Sequence, residues 1–352
     1  MAYTTIDDPS AYFHTQLYTG NGGTQSITND GNSDLQPDWL WIKERSSTSG
    51  HNVMDSTRGV GKHLFPNSTG AEESLNIVSS FNSDGWSTGA SNAINQSSET
   101  YVAWQWKANG GTTSSNTNGS ITSTVQANTT AGFSIVSYTG VNSSNGQTST
   151  IGHGLNSAPE LIICKRRNGT YGWSVGSTTI GNFTSSNVFE LNETGAPSAT
   201  YAYEWGANPT STVFTTGYSN RTNISGGTFI AYCFAPIQGY SKFGSYTGNG
   251  NADGTFIYTG FKPRFFMLKG TGNVSSWCMY DTARDPINQA SQKIWANENN
   301  AEQSTGAMDF LSNGIKMRIN DNDFNGSGYQ YLYMAFAENP FVATNGVPTT
   351  AN

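Results

Sequence analysis

Two Asp-x-x-Arg tetrapeptides, Asp55-Ser56-Thr57-Arg58 and Asp281-Thr282-Ala283-Arg284, are the most regular arrangement of chemically capable residues in the chain. Each begins twelve residues past a lysine, Lys43 or Lys269, that closes an apolar run. An acid and a base three apart could serve hydrolysis. An aspartate in such a turn, however, more readily caps its own backbone, and the guanidinium pairs with it or with a nearby loop. Asp55, Arg58, Asp281 and Arg284 are therefore expected as structural turn pairs. The four histidines, His14, His51, His63 and His153, show no metal-ligand spacing. Gly85-Trp86-Ser87-Thr88-Gly89 and Gly172-Trp173-Ser174-Val175-Gly176 fit the Gly-x-Ser-x-Gly pattern, but neither precedes the helix that a nucleophile elbow needs. Asp321, Asp323 and Asn325 make the first half of a calcium loop. Its twelfth position falls on Leu332, so a hairpin turn is expected and calcium is only a weak candidate. Glu72, Glu73, Glu298 and Glu302 are not marked as an acid/base pair. These residues predict no enzyme and no cofactor.

Binding offers a second kind of chemistry. Trp86, Trp173, Tyr218 and Trp277 lie near turns and could stack on a sugar ring, with Asn and Asp side chains beside them. Core or rim packing is the competing expectation for each.

The elements that must position these residues are strands. The chain has 352 residues, 12 % charged, 12 % aromatic and only 35 % hydrophobic, with 40 glycines. Helix formers are scarce, whereas Gly, Asn, Ser and Thr suit turns and solvated strand faces. Asn-Gly and Asp-Gly pairs such as Asn21-Gly22, Asp84-Gly85 and Asn313-Gly314 punctuate the chain as hairpin turns do. Residues 71–74 and 297–303 are weak helical candidates. The net charge of −7 argues against nucleic acid, and no apolar run of membrane length occurs. The N-terminus lacks the basic start and apolar stretch of a signal peptide. Cys164, Cys233 and Cys278 are odd in number, and buried thiols are expected.

Three landmarks recur in the same order. Tyr18-Thr19-Gly20, Tyr138-Thr139-Gly140 and Tyr246-Thr247-Gly248 open three copies of one unit. Next, a proline starts an apolar run ending in lysine six residues on: Pro37 to Lys43, Pro159 to Lys165, Pro263 to Lys269. An aromatic strand ending in Trp106, Phe234 or Phe336 closes each copy, 88, 96 and 90 residues after the opening tyrosine. The expectation is an all-β protein of three tandem jelly-roll or β-sandwich domains of about 90–110 residues. Residues 1–108, 132–236 and 237–352 form the copies, and 109–131 a Gly/Ser/Thr/Asn-rich linker with an edge strand. The middle copy has Val175-Gly176-Ser177 where the others have aspartate, which puts a shared Asp/Arg role there in doubt.

Some strands are apolar on both faces. Trp39, Leu40, Trp41 and Ile42 cannot all enter one thin sandwich, because strand side chains alternate; nor can Phe265, Phe266, Met267 and Leu268. The second face needs a long loop, a sister domain or another subunit, and the surplus aromatics point to an oligomer. The segment 1–10 is a candidate docking tail, and 347–352 reads as an unstructured end.

The Tyr-Thr-Gly-Asn-Gly opening, the Pro-to-Lys strand, Asp55-Ser56-Thr57-Arg58-Gly59, Phe81-Asn82-Ser83-Asp84-Gly85-Trp86 and Tyr101-Val102-Ala103-Trp104 together resemble the repeat domain of structural proteins from marine tailed phages. The segments 119–125 and 131–136 resemble that group as well. The resemblance covers nearly the whole chain. It implies a concanavalin-like jelly roll and a place on a virion surface, as tail fibre, appendage or capsid decoration, and attaches no catalytic residues. Other virion proteins and further copies of this chain are the partners it implies, with synthesis in the host cytoplasm and no signal peptide or membrane insertion. A carbohydrate-binding adhesin that holds a cell-surface glycan is the alternative; a polysaccharide hydrolase is a third reading, for which no acid/base pair stands out.

Overall fold

A computed structural model describes residues 3–179, 183, 188–197 and 203–349. The protein is all-β and its strands form several sheets; among the described residues, helix is confined to one turn at Asn92–Asn95 and a 3-10 turn at Pro9–Ala11. Neither sequence candidate is helical. Glu73 and Ser74 pair instead with His63 and Lys62 in a short two-stranded sheet, and 297–302 is turn and extended chain. Both stretches are too short to nucleate a helix without packing support.

One strand order occurs three times. In copy one it is Phe13–Thr19, Thr100–Trp106, Trp39–Glu44, Asn52–Asp55. Copy two repeats it with Phe133–Thr139, Thr228–Phe234, Leu161–Arg166 and Ser174–Ser177. Copy three has Ser241–Thr247, Gln330–Pro340, Phe261–Gly270 and Cys278–Asp281. The register is shared: Trp39, Leu161 and Phe265 stand opposite Trp106, Phe234 and Phe336. A second, smaller sheet faces each of the first two, Gln25–Ile27, Trp86–Thr88 and Val78–Phe81 in copy one, and Thr148–Gly152, Val213–Gly217 and Trp205–Ala207 in copy two. In copy three the strand Ala290–Trp295 pairs with both layers and joins them into one eight-stranded sheet.

Strand alternation now accounts for the doubly apolar runs. Leu40 and Ile42, Ile162 and Cys164, Phe266 and Leu268 face the core of their own copy. Trp39 and Trp41, Leu161 and Ile163, Phe265 and Met267 face one core common to all three copies. At its centre the rings of Trp106, Phe234 and Phe336 touch pairwise, with centroids 5.6, 6.0 and 6.5 Å apart. The surplus aromatics that suggested an oligomer are thus covered by sister copies of the same chain. Burying them from water supplies on the order of 2 kcal/mol per side chain.

The Tyr-Thr-Gly signature has a mechanical explanation. The hydroxyls of Tyr18, Tyr138 and Tyr246 donate to the carbonyls of Ile94, Thr222 and Phe324 at 2.6, 2.7 and 2.5 Å. The next residue is each time a buried asparagine, Asn95, Asn223 or Asn325, whose Oδ1 accepts the N–H of Asn21, Val141 or Asn249. The intervening glycine lies so close to this segment that a Cβ at Gly20, Gly140 or Gly248 would sit 2.1, 2.3 or 2.3 Å from a backbone oxygen.

The ends and the linker are tied down. Ile6 is buried, Thr4 Oγ1 donates to the Gln238 carbonyl at 2.9 Å and the Tyr3 hydroxyl to that of Gly260 at 2.7 Å. The candidate docking tail therefore packs on copy three; Met1 and Ala2 lie outside the described residues. Of the C-terminal stretch, 350–352 lies outside them too, and Val342 bridges Pro348. The stretch 109–131 contributes two strands, Ser114–Asn116 and Ser123–Asn128, to the sheet of copy two.

Candidate functional site

The Asp-x-x-Arg turns sit at the seams between copies. Asp55 accepts the backbone N–H of Arg58 at 2.8 Å and its Nε at 2.5 Å; Asp281 accepts those of Arg284 at 2.9 and 2.7 Å. All four side chains are closed to solvent. Across one seam the Tyr232 hydroxyl of copy two donates to Asp55 at 2.7 Å, and across another Trp104 Nε1 of copy one donates to Asp281 at 3.0 Å. Each network continues outward. Glu72 joins Arg58 (3.2 Å) to Arg167 of copy two (2.8 Å), and Glu302 joins Arg284 (3.0 Å) to Arg45 of copy one (2.7 Å). Pairing of this kind offsets the cost of taking the charges out of water. The attraction of Asp55 and Glu72 raises the pKa of Arg58 further above its ordinary value, despite burial acting the other way.

The third seam, between copies two and three, has lost the whole set. Ser177 occupies the register position of Asp55 and Asp281, and Met334 that of Trp104 and Tyr232. Thr271, two residues past the repeat lysine, stands where Arg45 and Arg167 do. Donor and acceptor are absent together, so no buried polar group is stranded there by the other's loss.

A second set of bonds is kept at all three seams. His51 Nε2 lies 2.9 Å from the Trp295 carbonyl, Trp173 Nε1 donates to Phe65 at 2.8 Å, and Trp277 Nε1 donates to Glu190 at 2.9 Å. Each leads from one copy to the next, and together they close a ring. The repeat lysines, Lys43, Lys165 and Lys269, are fully buried. Lys165 reaches the Thr69 carbonyl of copy one at 3.3 Å, and Lys269 that of Thr194 of copy two at 3.0 Å. Burial lowers all three ammonium pKa values to about 8.

The expected sugar platform is not assembled. Trp86 and Trp173 are 0 % and Trp277 2 % exposed, and only Tyr218 is even partly open. The first three rings fill cores and seams, because a large apolar ring next to a turn can still point inward. The calcium candidate is likewise engaged elsewhere: Asn325 is buried and its amide donates to Asn249 Oδ1 and to two carbonyls, while Asp321 caps the N–H of Asp323 at 2.7 Å. No group of three metal-ligating side chains occurs among the described residues. Ser174 donates to Glu204 and Ser87 shares a hydrogen bond with Ser26, so neither serine faces a histidine.

One cluster gave no sequence signal. Arg221 lies 3.0 Å from Glu190 and 3.4 Å from Glu204, beside a cleft of about 340 Å3 at the seam of copies one and two. Burial outweighs Arg221 and pushes the Glu204 carboxyl up to about 7. Its members are far apart in sequence, and only the fold joins them. Two more clefts, of about 310 and 420 Å3, flank Glu338 and Asn339.

No helix of the described residues is long and apolar enough to cross a membrane. Comparison with curated proteins and with solved structures finds no match. A single family model matches residues 8 to 340 and so runs through all three copies: the chain belongs to the family described as domain of unknown function DUF7483.

Proposed function

We propose that the chain is a structural component of a tailed-phage virion, a tail fibre, appendage or capsid-decoration protein built from three tandem jelly-roll copies. The observation that carries this reading is the shared core, in which three like sheets bury their second faces against one another. A chain that spends its large aromatics and its buried ion pairs on seams is organised for persistence and display. The chain, with a net charge of −7, suits a surface that stays soluble while docking at selected points. The likeness of its motifs to marine phage repeat proteins points the same way. Catalysis and cofactors have no part in this role, and other virion proteins are its partners. The test is mass spectrometry of density-purified particles from a host carrying the coding sequence, with gold-labelled antibody on intact particles. Stoichiometric presence and surface label are expected; absence from purified particles overturns the reading.

A glycan-binding role is favoured by a different observation, the polar cleft beside Arg264, whose lining is mostly hydrogen-bonding side chains.

A further inference from the structure

Copy one has Asp38 and copy two Glu160 directly before the residue opposite the closing aromatic; copy three has Arg264 there. Asp38 is saturated, accepting the N–H groups of Ala108, Gly110 and Gly111 at 2.7–2.8 Å and the Ser56 hydroxyl at 2.6 Å. Arg264 has no such answer. Its bonds run to the Thr15 carbonyl at 3.3 Å and the Thr282 hydroxyl at 3.4 Å, both long, and it forms no ion pair among the described residues. Glu338 nearby is held by Lys262 at 3.2 Å and by the Thr282 hydroxyl at 2.7 Å. Across the seam stands His14, hydrogen-bonded through Nε2 to Asp30 at 2.8 Å. Arg264 and His14 both line the cleft of about 310 Å3, together with Asp30, Asn32, Glu338 and Asn339.

A half-buried guanidinium without a carboxylate attracts an anion. The two carboxylates on the cleft walls act against a bare, multiply charged anion such as phosphate. They suit a ligand that brings one negative charge to Arg264 and hydroxyl donors to Asp30 and Glu338. The volume is at the small end of the range for ligand sites. We propose that this cleft binds a carboxylate-bearing sugar, a hexuronate unit of a surface polysaccharide, with its carboxylate on Arg264 and its hydroxyls on Asp30, Asn32, Glu338 and Asn339. This deepens the glycan-binding reading and is independent of a place on the virion, because particle composition and ligand titration are read separately.

The experiment is calorimetric titration of the full chain with glucuronate, glucose and inorganic phosphate, repeated with Arg264→Gln and with Asn32→Asp. Asn32 is exposed, so its variant adds a repelling charge without disturbing the core. Glucuronate is expected to bind in the millimolar range, with glucose and phosphate each weaker by about tenfold or more, a difference of about 1.4 kcal/mol. Both variants should lose about tenfold in glucuronate affinity at an unchanged unfolding midpoint. Equal binding of glucose, binding of phosphate as tight as glucuronate, full affinity in both variants, or no glucuronate binding at all would each overturn the proposal.

Discussion

The phenol of Tyr232 leaves its own sheet and donates at 2.7 Å to Asp55, a residue 177 positions away in another copy. That bond completes a carboxylate already holding Arg58 and closed to solvent. Tyr232→Phe should therefore cost about 1.5–3 kcal/mol, as for a hydrogen bond to a charged group. Asp55→Ala strands the Arg58 guanidinium and should cost about 3–5 kcal/mol. Asp281→Ala should match it, while Ser177→Ala at the apolar seam should cost about 1 kcal/mol or less. Urea unfolding of the four variants reads the contrast; equal losses at Asp55 and Ser177 would refute the role given to the networks.

Because one core serves three copies, the chain should unfold in a single cooperative step. Calorimetry should show one peak. A chain ending at residue 236 would uncover Phe13, Trp106 and Phe234, which pack on Phe336, and should aggregate or show no sharp transition. Two well-separated transitions in the full chain would contradict this.

Light scattering during size exclusion should give the mass of one chain, 37.8 kDa, over a wide concentration range. The outward aromatics are already covered. A stable trimer of chains would require an interface other than the one the sequence suggested.

Alkaline titration reads the buried lysines. Their folded pKa values, about 8, lie below the ordinary lysine value of 10.5, so between these limits the unfolded chain binds more protons than the folded one. Stability must then rise with pH across that window. Above pH 10 the sign reverses: burial raises Tyr18, Tyr138, Tyr232 and Tyr246 well above the usual 10.0, and only the unfolded phenols ionise. Denaturation midpoints from pH 7 to 11 should pass through a maximum near pH 10, and replacing the three lysines by methionine should flatten the rise.

Gly20→Ala places a methyl 2.1 Å from the Gln96 oxygen, so the opening loop must shift off its asparagine. A loss of more than about 2 kcal/mol is expected, with similar losses at Gly140 and Gly248. A change near zero at any of them would show that the loop yields freely.

The strands and their threefold recurrence could be read from spacing alone, because Pro37-to-Lys43 and its counterparts are local patterns. The destination of Trp39 and Phe265 could not. A ring covered by a sister copy and one covered by a second chain leave the same mark in a sequence. The Asp-x-x-Arg turn was readable as a turn, since its first bond spans three residues; its link to Tyr232 or Trp104 was not, since nothing local records it. Trp86, Trp173 and Trp277 looked available beside turns, yet side-chain direction, not position, decides exposure. The linker looked loose because glycine and serine dominate it, but the carboxylate of Asp38 and the side chain of Gln126, which accepts from Asn109 and Gly111, hold it in place.

Carrying all three copies on one chain has a consequence for mass action and for variation. Three separate chains would dissociate on dilution, whereas linked copies meet at a fixed effective concentration at any dilution. A true homotrimer must also repeat every substitution at each of its interfaces. This chain is free of that constraint: Ser177 faces one neighbour where Asp55 and Asp281 face the others, and Arg264 stands alone among acidic counterparts. The molecule keeps the economy of a symmetric scaffold while giving each third of its circumference a separate chemical identity.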